Sequence, residues 1–119
     1  MSHDTIFSLD EALALVDHDR DIFQAMAKLF VEHGLKDLAE TQAALAAQDA
    51  TALARSAHRL KGAILQFCAP AAIEATNQLE ELGKAGDLKS AVEVCAKLET
   101  ELLRLLAALR QVLDKGLSA

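Results

Sequence analysis

Tryptophan and tyrosine are absent, and four phenylalanines make up the whole aromatic content. There is one proline, and there are five glycines and two cysteines. Valine, isoleucine and threonine are scarce as well. Sheets draw on β-branched and aromatic side chains, so a β-sandwich or barrel is disfavoured. No apolar run approaches the ~20 residues of a membrane span. Met1-Ser2-His3-Asp4 carries no basic stretch followed by an apolar one, so no secretory signal is expected. Cys68 and Cys95 form no CxxC pair and read as small buried thiols of a reducing cytoplasm, with a disulfide or metal role as lesser options. Basic charge is short too. A formal net charge of −6 argues against general affinity for nucleic acid or an anionic membrane, both of which need a basic surface.

What the chain has is alanine and leucine, 24 and 21 of its 119 residues, both strong helix formers. Hydrophobic residues at 52% against 25% charged argue for a packed core rather than disorder. A chain of this length makes one domain and buries about two-thirds of its unfolded surface. The expectation is a single all-α domain over residues 1–119.

Five helices are predicted. Ser8-Leu9-Asp10-Glu11 reads as a capping box that opens a short helix over about 8–17. Asp17 or Asp19 caps the second, whose stripe Phe23, Ala27, Phe30, Gly34, Leu38, Thr41 and Leu45 runs in steps of three and four. Gly34 inside it marks a bend or a close helix approach. Asp49 caps a third helix reaching about Phe67 or Cys68, and Pro70 suits the first turn of a fourth. Gly86-Asp87 stops that helix and caps the next. The last helix carries Leu88, Cys95, Leu102 and Leu109 at heptad spacing, with Val92, Leu98, Leu105, Leu106 and Leu113 beside them. Four long amphipathic helices with short connections predict an antiparallel four-helix bundle over about 19–114, one end covered by the short first helix. Residues from Lys115 onward are expected to fray.

The third helix carries the chemistry. Its apolar stripe is Leu53, Ala57, Leu60, Ile64 and Phe67, and His58 lies roughly 140° from the middle of that stripe, so it points outward. Lys61 and Gly62, three and four positions on, share its side, and Ala54 one turn back is also small. A glycine inside a helix costs about 1 kcal/mol relative to alanine. Room for another molecule beside His58 would explain it; the alternative, packing of another helix of the same bundle, is weakened because Gly62 shares the outward side with His58. Between Asp49 and Glu74 there is no acidic residue, yet Arg55, Arg59 and Lys61 are present. Histidine, glycine and local positive charge together point to an anion site rather than an ordinary solvated face.

Ala57-His58-Arg59-Leu60-Lys61-Gly62 resembles the Ala-His-x-Leu-Lys-Gly signature of the histidine phosphotransfer (HPt) domain, and the resemblance continues through Leu79-Glu80 and Gly86-Asp87. It implies that His58 carries a phosphoryl group between a hybrid sensor histidine kinase and the aspartate of a response-regulator receiver domain. It also implies that Glu80 accepts a hydrogen bond from the His58 ring. A free imidazole titrates near pH ~6.5, so most of it is an uncharged nucleophile at neutral pH. A lysine roughly 6 Å away stabilises each unit of phosphoryl charge by about 1–3 kcal/mol. That role falls to Lys61, with Lys84 as a second phosphate contact and Arg55, Arg59 and Leu65 as docking residues for the receiver. After Gly62 the chain departs from the family's small residues and reads Ala63-Ile64-Leu65, which leaves partner choice open.

No cofactor of its own is expected; Mg²⁺ would sit on the partner receiver. No Gly-rich phosphate loop follows a strand, so neither a nucleotide site nor kinase activity is expected. His3, His18 and His33 read as surface residues. No HExxH or Glu-x-x-His pair supports a di-metal bundle. Two other readings stay open: an HPt-like bundle that docks partners without carrying phosphate, and a metal or haem bundle using His58.

Overall fold

The computed structural model describes residues 6–115. His3 and the start of the chain therefore lie outside the described residues, as does the stretch expected to fray, apart from Lys115. Five helices follow in order: α1 (Leu9–Leu15), α2 (Arg20–Ala46), α3 (Ala50–Leu65), α4 (Pro70–Ala85) and α5 (Leu88–Lys115). No strand occurs among the described residues. The helix starts follow from their caps. Ser8 accepts from the Glu11 amide, Asp19 from that of Ile22 and Asp49 from that of Ala52. Asp19, not Asp17, caps α2. Pro70 opens α4 with no side-chain cap on Ala69.

The connections are short because each of α1 to α4 is followed by a left-handed residue. Asp17 and His18, Gln48, Cys68 and Gly86 all have φ between 53° and 75°. At the end of α2 the Asp49 amide donates to Ala44 O and the Gln48 amide to Leu45 O, closing a Schellman motif. Only Gly86 adopts this conformation without a Cβ penalty. Replacing Gln48 with glycine should therefore raise stability by up to about 1 kcal/mol in chemical denaturation.

The helices pack in a ring, α2 on α3, α3 on α4, α4 on α5 and α5 back on α2. Helix lengths decide the shape. The 28 residues of α5 span roughly 42 Å, nearly the whole 45 Å long axis. The 16 residues of α3 and of α4 span only about 24 Å each. The α3–α4 hairpin thus covers one part of the α2–α5 pair, and α1 sits over its turn. The Ser8 amide donates to Cys68 O, and Phe7 and Ala12 are buried. Beneath them Phe67 packs edge-on to Phe23, with centroids 5.9 Å apart, and tilted against Phe30 at 5.2 Å.

The predicted α3 stripe is wholly buried. Stripe positions elsewhere differ: Leu88 and Leu113 on α5 are only half-buried. On α2, Ala44 is buried and Leu45 only half-buried, because a stripe in steps of three and four drifts around a 27-residue helix. Val92 on α5 faces solvent. Gly34 marks a close approach, not a bend: a Cβ there would lie 3.2 Å from Leu106 Cδ2. The buried hydroxyls of Thr41 and Ser56 bond each other at 2.6 Å, and among the described residues no buried side-chain N or O lacks a partner.

Candidate phosphotransfer site

His58 lies midway along α3 and Glu80 midway along α4, where the two helices face each other. The imidazole is 69% exposed and the Glu80 side chain only 6%. Buried Thr76, Leu79 and Gly83 surround Glu80 on its own helix and turn it toward α3. His58 Nδ1 is 3.0 Å from Glu80 Oε2. Lys61 Nζ donates to Oε1 at 2.7 Å and reaches Asn77 Oδ1 at 3.5 Å. Lys84 Nζ, one turn along α4, is 3.2 Å from Oε2.

The hydrogen bond from Lys61 holds the Glu80 carboxyl far below the usual glutamate range, at about 2, with Lys84 and His58 adding to it against the opposing effect of burial. This settles a proton. A carboxylate with no proton can only accept, so Nδ1 of the neutral ring must carry the hydrogen. The lone pair then belongs to Nε2, which has no partner among the described residues.

The same cause makes stability depend on acid. The carboxyl is lowered from its ordinary 4.5 to about 2, so its stabilisation is complete above pH 4.5 and lost as the pH falls through 2. The stability difference between wild type and Glu80→Gln should shrink steadily as the pH falls from 4.5 to 2. Urea titrations at a series of pH values measure this.

The remaining residues singled out from sequence are distributed unevenly. Gly62 is exposed, and a Cβ there would meet nothing within 4 Å. No helix of the bundle packs on it. Ala54 is different: its smallness serves the scaffold. A Cβ on Gly83 would lie 2.8 Å from the Ala54 nitrogen, so α3 and α4 cross there almost backbone to backbone. Arg59 turns to α2, where its guanidinium is 3.4 Å from Glu40. Arg55 and Leu65 are exposed, Leu65 beside Cys68 and Ile73. His33 lines a shallow groove between α2 and α3 with Met26, Leu29 and Ala63.

Sequence reasoning missed the two lysine bonds to Glu80 and the Gly83–Ala54 crossing. The Glu80–Lys84 spacing of four was a readable signal. Gly83, a helix-interior glycine with no turn to make, was another. Burial raises both thiols, aided at Cys68 by Glu11 and at Cys95 by Glu99, and both cysteines are free. Among the described residues no group of three His, Cys, Asp or Glu could hold a metal ion, and no helix is long and apolar enough to cross a membrane.

The model of the Hpt domain family matches residues 25–112, most of the chain and all of the α3–α4 pair. The chain belongs to the Hpt domain family. Hpt domains are phosphoryl carriers that work with receiver domains and kinases, and this chain is a histidine phosphotransfer protein of a two-component phosphorelay. Its fold is also that of a solved relative. The crystal structure of histidine-containing phosphotransfer protein B (HptB) from Pseudomonas aeruginosa PAO1 superposes with a TM-score of 0.85, over 92% of this chain and 96% of that one, at 24% identity. A search of curated protein sequences finds no match.

Proposed function

We propose that His58 is the phosphoacceptor and that the α3–α4 face around it exchanges the phosphoryl group with the aspartate of a receiver domain. One observation carries the reading: an exposed imidazole whose Nδ1–H is held by a buried, ionised carboxylate, so that Nε2 stands free. In the step toward this chain, the Nε2 lone pair attacks phosphorus in the receiver's aspartyl phosphate. The P–O bond breaks and its electron pair returns to the aspartate oxygen. Nδ1 keeps its proton, and the positive charge the ring acquires lies against Glu80. Donation is the same step reversed.

Lys61 and Lys84 supply positive charge beside the ring, and Gly62 leaves open space for the incoming group. Arg55 and the exposed Leu65 give the rim a basic and an apolar contact suited to an acidic receiver face, and Arg59 would join them on leaving Glu40. The chain acts as a carrier without a nucleotide site or cofactor of its own, with Mg²⁺ supplied by the receiver, a hybrid sensor kinase upstream and a cytoplasmic location. Among the described residues no carboxylate cluster stands near His58 to bind the metal, and transfer relies on positioning and charge.

The test is incubation with a ³²P-labelled phosphorylated receiver and Mg²⁺. Label should move to this chain and be acid-labile and base-stable, as a P–N bond requires. Receiver binding without label would favour a docking-only bundle and overturn the proposal.

A further inference from the structure

We infer that the two lysines at Glu80 divide the work: Lys84 moves to the phosphoryl group, and Lys61 stays behind as the positioning residue that holds Glu80. The inference rests on His58 being the phosphoacceptor and deepens that reading.

The two lysines differ in what each would leave behind. Glu80 Oε1 has one donor among the described residues, Lys61 at 2.7 Å. Oε2 has two, the His58 ring at 3.0 Å and Lys84 at 3.2 Å. If Lys61 swung away, one oxygen of an almost fully buried carboxylate would lose its only donor. Stranding a buried charge in this way is heavily unfavourable. If Lys84 swung away, Oε2 would still accept from Nδ1–H. Exposure points the same way. The Lys61 side chain is 21% exposed and is also within 3.5 Å of Asn77, whereas that of Lys84 is 60% exposed. The exposed lysine end of this i, i+4 pair is held by that one contact, so it is the easier of the two to release.

Lys84 Nζ is bonded to the very oxygen that holds the imidazole, so it already lies two hydrogen bonds from the ring. A phosphoryl dianion on Nε2 offers it a stronger partner than a carboxylate oxygen it shares with His58. Lys61 has no such incentive to leave, because its departure leaves Oε1 bare.

Three variants test this in the full chain: Lys84→Met, Lys61→Met and Lys61→Arg. Each is given a phosphorylated receiver with Mg²⁺. The measurements are the rate of label uptake, the half-life of the label after the receiver is removed, the thermal melt, and the ¹⁵N signals of the unphosphorylated His58 ring. Lys84→Met should slow uptake roughly tenfold, the worth of one exposed unit-charge contact. It should also change the half-life on the isolated protein, which a mere docking role would not, and leave the melt and ring signals as in wild type. Lys61→Met should lower the melt and shift the Nδ1 signal before any phosphate arrives, and Lys61→Arg should restore both. The inference is overturned if Lys84→Met keeps the wild-type half-life, or if Lys61→Met alters the half-life while its melt and ring signals stay unchanged. Should Lys61→Met fail to fold, the Lys84→Met half-life decides alone. A wild-type chain that takes no label overturns the phosphoacceptor reading itself, and this inference with it.

Discussion

His58→Gln should take up no phosphoryl label from a phosphorylated receiver while remaining fully folded. The imidazole is mostly exposed and makes a single hydrogen bond, to a carboxylate that keeps two lysines without it. Its loss should therefore change stability by less than about 1 kcal/mol. The chemistry has no such redundancy. A glutamine amide nitrogen has its lone pair delocalised into the carbonyl and cannot attack phosphorus. Label transfer and a thermal melt on the same preparation measure the two effects, and label retained on the variant would remove His58 from the reaction.

Gly83→Ala should be the most disruptive conservative change in the site, although alanine is the better helix former by about 1 kcal/mol. The new methyl would lie 2.8 Å from the Ala54 nitrogen and 3.0 Å from its Cα and Cβ, and backbone cannot step aside as a flexible side chain can. The helices must part. Overpacking of this kind costs about 1–3 kcal/mol. It also acts on the site, because Ala54 is one turn before His58 and Gly83 one turn after Glu80. Widening the crossing stretches the His58–Glu80 and Lys61–Glu80 bonds together. Urea unfolding should show the loss of stability, and label transfer should slow with it. Gly62→Ala is the control. Nothing lies within 4 Å of its Cβ, so the same substitution there should stabilise by up to about 1 kcal/mol. Any loss of transfer in that variant comes from the partner's approach, not from the scaffold.

These two glycines show where sequence reading works and where it stops. Both are helix-interior glycines near the functional histidine, and both look alike in one dimension. For Gly62, angular position on α3 was enough, because its side of the helix is the solvent side. For Gly83 the cause is a neighbour 29 residues away in the chain, which no periodicity reports. Charge behaved in the same manner. Arg55, Arg59 and Lys61 read as a basic segment, yet Arg59 is answered by Glu40 on α2 and Lys61 by Glu80 on α4. Both partners lie on other helices.

The chain by itself determined the number of helices, most of their borders, the buried stripe of α3 and the outward direction of His58. Those depend on caps and on steps of three and four, which act within a few residues. The tertiary structure alone decided how α3 and α4 are set against each other: their depth of approach at Gly83 and Ala54, the burial of Glu80, and its hold on His58 and Lys61. The bonds from Glu80 to Lys61 and His58 link residues nineteen and twenty-two positions apart, and they exist only once two backbones have been brought to a particular separation.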